Sequence, residues 1–114
     1  MDEERARDLL MAERKRLERE LARHVHEDDG EDSDPFFDQG NLAAKLYQDE
    51  LEESLAEGLR RQLAALERAE HRLAAGTYGL SIESGARIPD ERLEVLPTAE
   101  LTAEEERAVE RHRA

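Results

Sequence analysis

Two serines stand where a metal-binding turn would carry cysteines. In the stretch GLSIESG, Ser81 and Ser84 are three residues apart, directly after a Gly-rich turn that ends a helical segment. This is the Cys-x-x-Cys spacing of a zinc knuckle, in which two thiolates bind one metal ion. Neutral hydroxyls do not replace thiolates as ligands of a structural zinc ion, and the chain has no Cys. The sequence therefore excludes a disulfide, a thiolate zinc site and a Cys nucleophile.

The second group of residues that could do chemistry is acidic. The segment from Glu27 to Asp38, EDDGEDSDPFFD, carries seven carboxylates and no Lys or Arg, and it contains both Phe residues of the chain. Its glycines stand at the wrong positions for an EF-hand, which argues against a calcium loop. His24 and His26 are two residues apart and do not share a helix face, so they do not form a metal pair. We expect no defined metal site.

Composition excludes several classes of function. The net charge is −13, from 30 acidic and 17 basic residues, which disfavours direct binding to nucleic acid and favours a partner with a basic cleft. There is no phosphate-binding Gly loop and no nucleophile beside a base, so we expect a non-enzyme without a cofactor. No apolar run approaches the roughly 20 residues that span a bilayer, and the acidic start is unlike a signal peptide, so we expect a cytoplasmic protein.

Leucine periodicity predicts two long helices, over 2–26 and 41–75. The second has a leucine spine at Leu51, Leu55, Leu59, Leu66 and Leu73, the last three at heptad spacing. Two such helices joined by a connection of moderate length should pair as an antiparallel coiled-coil hairpin, and Gly76 suits the left-handed cap of the second. We expect a mostly α chain, with a hairpin over 1–75, an acidic tip loop over 26–41, and a small domain over 76–114.

The pattern after Gly76 predicts a compact, irregular segment. Short β-compatible pieces over 78–82 and 86–88 flank a turn, one helical turn lies between Pro89 and Pro97, and a C-terminal helix begins at Thr102. Thr102 and Glu105 fit the capping box S/T-x-x-E. We expect the apolar residues of the segment to form one cluster against the second helix: Leu80, Ile82, Ile88, Leu93, Val95, Leu96 and Leu101.

The segment from 76 to 101 resembles the C-terminal zinc-finger segment of the DksA/TraR family of bacterial transcription regulators. In that family a helix ends in Gly-Thr-Tyr-Gly, followed by Cys-x-x-Cys-Gly, Ile-Pro-x-x-Arg-Leu, Leu-Pro-x-Ala and a second Cys-x-x-Cys. The matching residues are Gly76-Thr77-Tyr78-Gly79, Gly85, Ile88-Pro89, Arg92-Leu93 and Leu96-Pro97-Thr98-Ala99. The resemblance places the four cysteine positions on Ser81, Ser84, Thr102 and Glu105, so it implies a degenerate zinc finger whose ligands are all lost.

The resemblance implies a function at RNA polymerase. In the family an acidic hairpin tip enters the secondary channel of the polymerase, and tip carboxylates act near the active-site region. Asp34 and Asp38 resemble the two tip aspartates, although one extra residue separates them and Gly40 stands where Ala is usual. With Phe36 and Phe37 they form the expected tip contacts, and Arg87 and Arg92 are expected contacts at the channel rim. We expect a monomer that binds polymerase and neither nucleic acid nor membrane.

Other interpretations of the same residues stay open. The acidic run is equally typical of a solvated loop, Asp34 before Pro35 of a simple turn, and Asp38 of a helix N-cap. Phe36 and Phe37 suit packing between helix ends. The chain could be a degenerate family member that binds another protein, or a coiled coil that self-associates through leucines left uncovered on the longer helix.

Overall fold

The computed structural model of the protein describes residues 1–28 and 39–113, and these residues form four helices. They are α1 (Glu3–Asp28), α2 (Gln39–Ala75), α3 (Asp90–Val95) and α4 (Ala103–Arg113). The antiparallel α1–α2 hairpin, the loop that follows it and the short C-terminal helix confirm the predicted fold class. The two long helices extend two residues further into their connection than the sequence predicts. The chain divides into two compact units, Met1–Arg14 with Ala64–Ala114, and Lys15–Leu63.

In the first unit, α1 and α2 are joined by buried apolar side chains and by the ion pair of Arg14 with Glu70. Ala6 and Leu10 on α1, and Leu66 and Ala69 on α2, are almost completely buried. Their spacings of four and three residues place each pair on one helix face, as expected for helices that pack on each other. The Arg14 guanidinium donates to both carboxylate oxygens of Glu70, at 3.0 and 2.7 Å, and this hydrogen bonding lowers the pKa of Glu70.

In the second unit, the leucine spine is buried only in part. Leu17 on α1 and Leu59 on α2 are buried, but Leu51 and Leu55 are 45% and 48% exposed, so the prediction of a continuous spine is wrong at these two positions. The reason lies in α1, whose segment from Glu18 to His24 offers only Leu21 and Ala22 as apolar surface. Because α1 offers few apolar partners here, a smaller part of each leucine side chain on α2 is buried.

The segment after α2 has its own small core. Ile88, Leu93 and Ala99 are buried together, with Met1 and Tyr78 packed against them. The predicted cluster is therefore wrong in part, because Leu80, Ile82, Val95 and Leu96 are exposed. Val95 lies two residues after Leu93 on a helix of 3.6 residues per turn, so the two side chains point to nearly opposite sides. A six-residue helix can bury only one face.

Within residues 1–28 and 39–113, no helix is both long and apolar enough to cross a membrane. The long helices carry many charged side chains on their exposed faces. Pairs such as Lys45 with Asp49, four residues apart on α2, represent these surfaces.

Leu93→Ala should destabilise the protein strongly, because it removes a side chain that is only 1% exposed from a very small core. Truncation of a buried leucine costs about 2–5 kcal/mol. Val95→Ala, on the same helix but at an 87% exposed site, should change the free energy of unfolding by no more than about 0.5 kcal/mol. Urea unfolding followed by circular dichroism measures both values, and equal losses would contradict this packing.

Candidate functional site

The candidate site is the loop that follows α2, and glycines determine its backbone. Gly76, Gly79 and Gly85 have φ values of +80°, +86° and +75°, a region that side chains disfavour. At the end of α2 the amide of Gly76 donates to the carbonyl of Leu73, and the amide of Thr77 to that of Arg72, which together form a Schellman motif. The predicted cap at Gly76 is confirmed, and the helix ends where the loop must begin.

The loop closes as a tight turn with one β-bridge. Leu80 and Arg87 form an isolated antiparallel bridge, and the amide of Ser81 donates to the carbonyl of Ala86 at 2.8 Å. The amide of Gly85 donates back to the carbonyl of Ser81 at 3.0 Å. The predicted turn is thus present, and it places Ser81 and Ser84 on the inside and rim of one small loop.

The hydroxyl groups of the two serines organise this turn. Ser81 is 5% exposed, and its Oγ accepts hydrogen bonds from the amides of Glu83 and Ser84, each at 3.1 Å. The Oγ of Ser84 accepts from the amide of Ala86 at 3.2 Å. Serine hydroxyls commonly bond to nearby backbone amides in this way, and here the bonds satisfy donors that a tight loop cannot pair by itself.

The carboxylate of Glu105 joins the turn to α4. One oxygen accepts a hydrogen bond from the hydroxyl of Ser84 at 2.5 Å, and the other accepts from the amide of Thr102 at 2.8 Å. In return, the amide of Glu105 donates to the hydroxyl of Thr102 at 3.2 Å, so the predicted capping box is present. Ser81, Ser84, Thr102 and Glu105 therefore form one hydrogen-bonded group, the hydroxyl–carboxylate cluster.

Hydrogen bonding in the cluster favours the charged form of Glu105. The pKa of this carboxyl falls from its usual 4.5 to about 2, with the Ser84 hydroxyl as the largest cause, then the Thr102 amide and the Ser81 hydroxyl. Its position in the first turn of α4 is also favourable, because the helix dipole attracts negative charge there. The cluster is built around an ionised carboxylate.

The residues of the cluster do not fit a structural zinc ion. Three of them offer neutral hydroxyls, and one offers a carboxylate whose two oxygens already accept hydrogen bonds from Ser84 and Thr102. Structural zinc sites use thiolates and imidazoles, and the chain has no Cys. Among the residues that the structure describes, no group of three or more His, Asp and Glu side chains could hold a metal ion.

A second carboxylate fastens the loop to α2. Glu100 accepts hydrogen bonds from Arg68 at 3.0 Å and from Arg72 at 3.0 Å, and the bond from Arg68 is the main reason that its pKa is lowered. The carbonyl of Glu100 also accepts from the amide of Ile82 at 2.9 Å. Sequence reasoning missed this contact. The only local sign of it is that Arg68 and Arg72 lie four residues apart, on one face of α2.

Tyr78 closes the other side of the loop. Its hydroxyl donates to the carbonyl of Pro97 at 2.7 Å, and burial raises its pKa to about 12. The ring packs against the core of Ile88 and Leu93. The Tyr of the Gly-Thr-Tyr-Gly motif therefore links the end of α2 to the segment after α3.

The two arginines expected at a partner's rim have different surroundings. Arg92 donates from Nε to the carbonyl of Leu101 at 3.1 Å, so part of its guanidinium supports the fold. Arg87 lies in the β-bridge strand of the loop, and its charge contributes to the lowered pKa of Asp90, after the hydrogen bond that Asp90 accepts from the N-terminal amine. Both arginines line a groove between α3 and α4. Asp34, Phe36, Phe37 and Asp38, the expected tip contacts, lie outside the described residues.

Comparison with known proteins agrees with this geometry. No protein-family model matches the chain. An uncharacterized protein, YteA of Bacillus subtilis (strain 168), is 42% identical over 65 residues, which are 57% of this chain but 27% of that protein. The chain thus spans about a quarter of the length of this curated relative. The solved structure of transcription factor DksA2 from Pseudomonas aeruginosa matches with a TM-score of 0.83 and 32% identity, over 98% of this chain and 86% of that one.

The chain belongs to the DksA/TraR family. The match to DksA2 covers the helical hairpin and the loop alike, so the resemblance recognised between 76 and 101 extends to the fold as a whole. The hydroxyl–carboxylate cluster consists of the four residues that the sequence resemblance predicts at the family's cysteine positions. The structure brings all four together by hydrogen bonds.

Glu105→Gln should destabilise the protein at neutral pH and not at strongly acidic pH. The folded-state pKa of Glu105 lies below its usual value, so the carboxylate stabilises the fold above about pH 4.5 and loses this effect as the pH falls toward 2. Urea unfolding of wild type and variant from pH 7 to pH 2.5 measures the difference between them, which should shrink over that window.

Glu104→Gln is the matched control. It removes the same charge from the same helical turn, but no described group outside α4 donates a hydrogen bond to Glu104. Its effect on the unfolding midpoint should be smaller than that of Glu105→Gln at pH 7. A difference between wild type and Glu105→Gln that stayed constant down to pH 2.5 would contradict the assigned role of the carboxylate.

Proposed function

We propose that this chain is a transcription regulator that binds bacterial RNA polymerase through its secondary channel. The acidic segment between α1 and α2 is directed toward the active-site region, and the loop with α4 contacts the channel rim. The observation that carries this proposal is the similarity to the transcription factor DksA2 over 98% of the chain, hairpin included. An unrelated helical protein would not be expected to share both the hairpin and the loop that follows it.

Charge supports the same partner. Seven carboxylates lie between Glu27 and Asp38, and no Lys or Arg occurs from residue 24 to residue 44. A basic, Mg²⁺-containing channel attracts such a segment and orients it during encounter. In this proposal Asp34 and Asp38 act at the tip, Phe36 and Phe37 contact the polymerase beside them, and Arg87 and Arg92 contact the rim. The protein works by binding and not as an enzyme.

The loop after α2 supports the proposal because contacts between protein residues hold its shape, with no need for a metal ion. A structural zinc ion contributes on the order of 10 kcal/mol to the folding of a small domain. In this chain the hydroxyl–carboxylate cluster, the Glu100 ion pairs and the core around Leu93 hold the corresponding segment. We therefore propose that the segment is a degenerate zinc finger, kept as a surface that contacts the polymerase.

Replacing Ser81, Ser84, Thr102 and Glu105 together by Cys should create a zinc site. If these positions are the lost ligands, the variant should bind one zinc ion per chain, and a chelator should lower its unfolding temperature. The wild type should bind none, and chelator should leave its unfolding temperature unchanged. Metal content by mass spectrometry and thermal unfolding give both readouts. A four-Cys variant that folds but binds no zinc would contradict the assignment.

Asp38→Asn should reduce the effect of the protein on transcription in vitro. Loss of a hydrogen bond to a charged group costs about 1.5–3 kcal/mol, which corresponds to a roughly 10- to 150-fold weaker effect at a given concentration. Asp32→Asn is the matched control, because it removes the same charge from the same acidic segment. Binding to polymerase core is measured alongside, in competition with a known secondary-channel factor.

The competition separates this proposal from its alternatives. Displacement of the protein by the channel factor, with an effect on transcription that Asp38→Asn lowers and Asp32→Asn does not, supports the secondary channel as the site. Binding without competition would mean that the fold serves another partner surface. Failure to bind the core at moderate salt would overturn the proposal. Association between copies of the chain would then explain the exposed leucines on α2, such as Leu46, Leu51 and Leu55.

A further inference from the structure

The part of α2 that follows the acidic connection, residues 39–57, has few packing partners. Between residues 42 and 55 every side chain is exposed except that of Glu52, which is half-buried. Later in the same helix, Leu66 and Ala69 are completely buried. Tertiary packing supplies most of the stability of helices in proteins, so α2 is stabilised unevenly along its length. We call residues 39–57 the distal segment of α2.

The distal segment also carries carboxylates that repel one another along the helix. It contains five acidic residues and one basic residue, Lys45. Like charges three or four residues apart lie on the same helix face and destabilise the helix. The pair of Lys45 with Asp49, at 3.3 Å, offsets this repulsion in part. Glu53 is the centre of the repulsion, because it has three acidic neighbours at these spacings: Asp49, Glu50 and Glu57.

A glycine lies where the distal segment meets the packed part of α2. Gly58 stands between the buried residues Ala56 and Leu59. A Cβ at this position would meet the side chain of Arg61 at 3.8 Å, which is ordinary contact, so close packing does not require glycine here. Glycine loses more backbone entropy in a helix than alanine does. Gly58 therefore weakens α2 at the boundary of its two parts.

We infer that the distal segment of α2 is a local folding unit, which opens while the rest of α2 stays helical. Opening relieves the repulsion around Glu53 and gives up few buried contacts. A positively charged partner has the opposite effect, because it neutralises the carboxylates and so favours the helix. The distal segment thus becomes ordered where it meets a basic surface. In the proposed function this surface is the polymerase channel, and in this respect alone the inference rests on that function.

Hydrogen–deuterium exchange of the free full chain, followed by mass spectrometry, tests the local opening. Amides of residues 42–57 should exchange at least about tenfold faster than those of residues 64–73, after correction for their intrinsic rates. Equal protection of the two stretches would overturn the inference. The experiment contains no polymerase, so that outcome leaves the proposed function standing. Absence of polymerase binding would in turn overturn the proposed function and leave these exchange rates as they are.

Gly58→Ala should slow the exchange of residues 42–57 by about four- to fivefold, because alanine favours the helix. Ala64→Gly is the matched control, since it makes the reverse change at an exposed site in the packed part of the same helix. It should leave the exchange of residues 42–57 unchanged. If these residues opened only when the whole protein unfolds, the two variants would change their exchange by similar factors in opposite directions. That result would also overturn the inference.

Glu53→Gln tests the role of charge. It removes the central repulsion with little change in helix propensity, and it should slow the exchange of residues 42–57 at least about threefold. Glu67→Gln removes the same charge from an exposed site in the packed part of α2 and should leave this exchange unchanged. Polylysine, added to the wild type, should slow it as well. Exchange that neither Glu53→Gln nor polylysine slows would overturn ordering by a basic surface.

Discussion

The carboxylate of Glu105 is the contact on which the shape of the C-terminal segment depends. It connects the turn around Ser84 with the start of α4, although Ser84 and Glu105 are 21 residues apart in the chain. In the DksA/TraR motif a metal ion would make this connection through four thiolates. Here the Glu105 carboxylate accepts hydrogen bonds from the Ser84 hydroxyl and the Thr102 amide. The Thr102 hydroxyl in turn accepts a hydrogen bond from the Glu105 amide.

A hydrogen-bonded cluster does not replace the free energy of a metal site by itself. A capping interaction contributes about 1 kcal/mol, whereas a structural zinc contributes on the order of 10. Other contacts also hold the loop in place. Glu100 binds Arg68 and Arg72, Tyr78 bonds to Pro97, and Ile88 and Leu93 are buried to 1% exposure. Ion pairs and buried side chains attach the loop to α2, and the hydroxyls of Ser81 and Ser84 form hydrogen bonds with the backbone of its turn.

Sequence predicted the elements of this fold well and their burial less well. The helix ends were predictable because their signals are local: Gly76 in a left-handed cap, and Thr102 with Glu105 in a capping box. The four cluster positions were predictable because the sequence motif that contains them has a fixed spacing. The burial of individual side chains was not predictable, since it depends on which residues pack opposite them in the folded protein. The apolar side chain of Val95 predicted that it lies in the core, but α3 turns it outward. Nothing near Glu100 in the sequence indicated that two arginines 28 and 32 residues earlier would bind it.

Acidic residues are used differently in the segment that connects α1 to α2 and in the C-terminal segment. Residues 15–63 contain fourteen acidic and seven basic residues, and seven of the acids fall between Glu27 and Asp38, so the rest of this unit is neutral. Its helices therefore neither add to nor oppose the field of the connecting segment, which acts over about one Debye length, roughly 8 Å at physiological salt. The acids of the C-terminal segment are used differently, because Glu100 and Glu105 are tied to arginines or hydroxyls. Negative charge is thus densest in the connecting segment, whereas the other unit spreads sixteen acidic and ten basic residues over 65 positions.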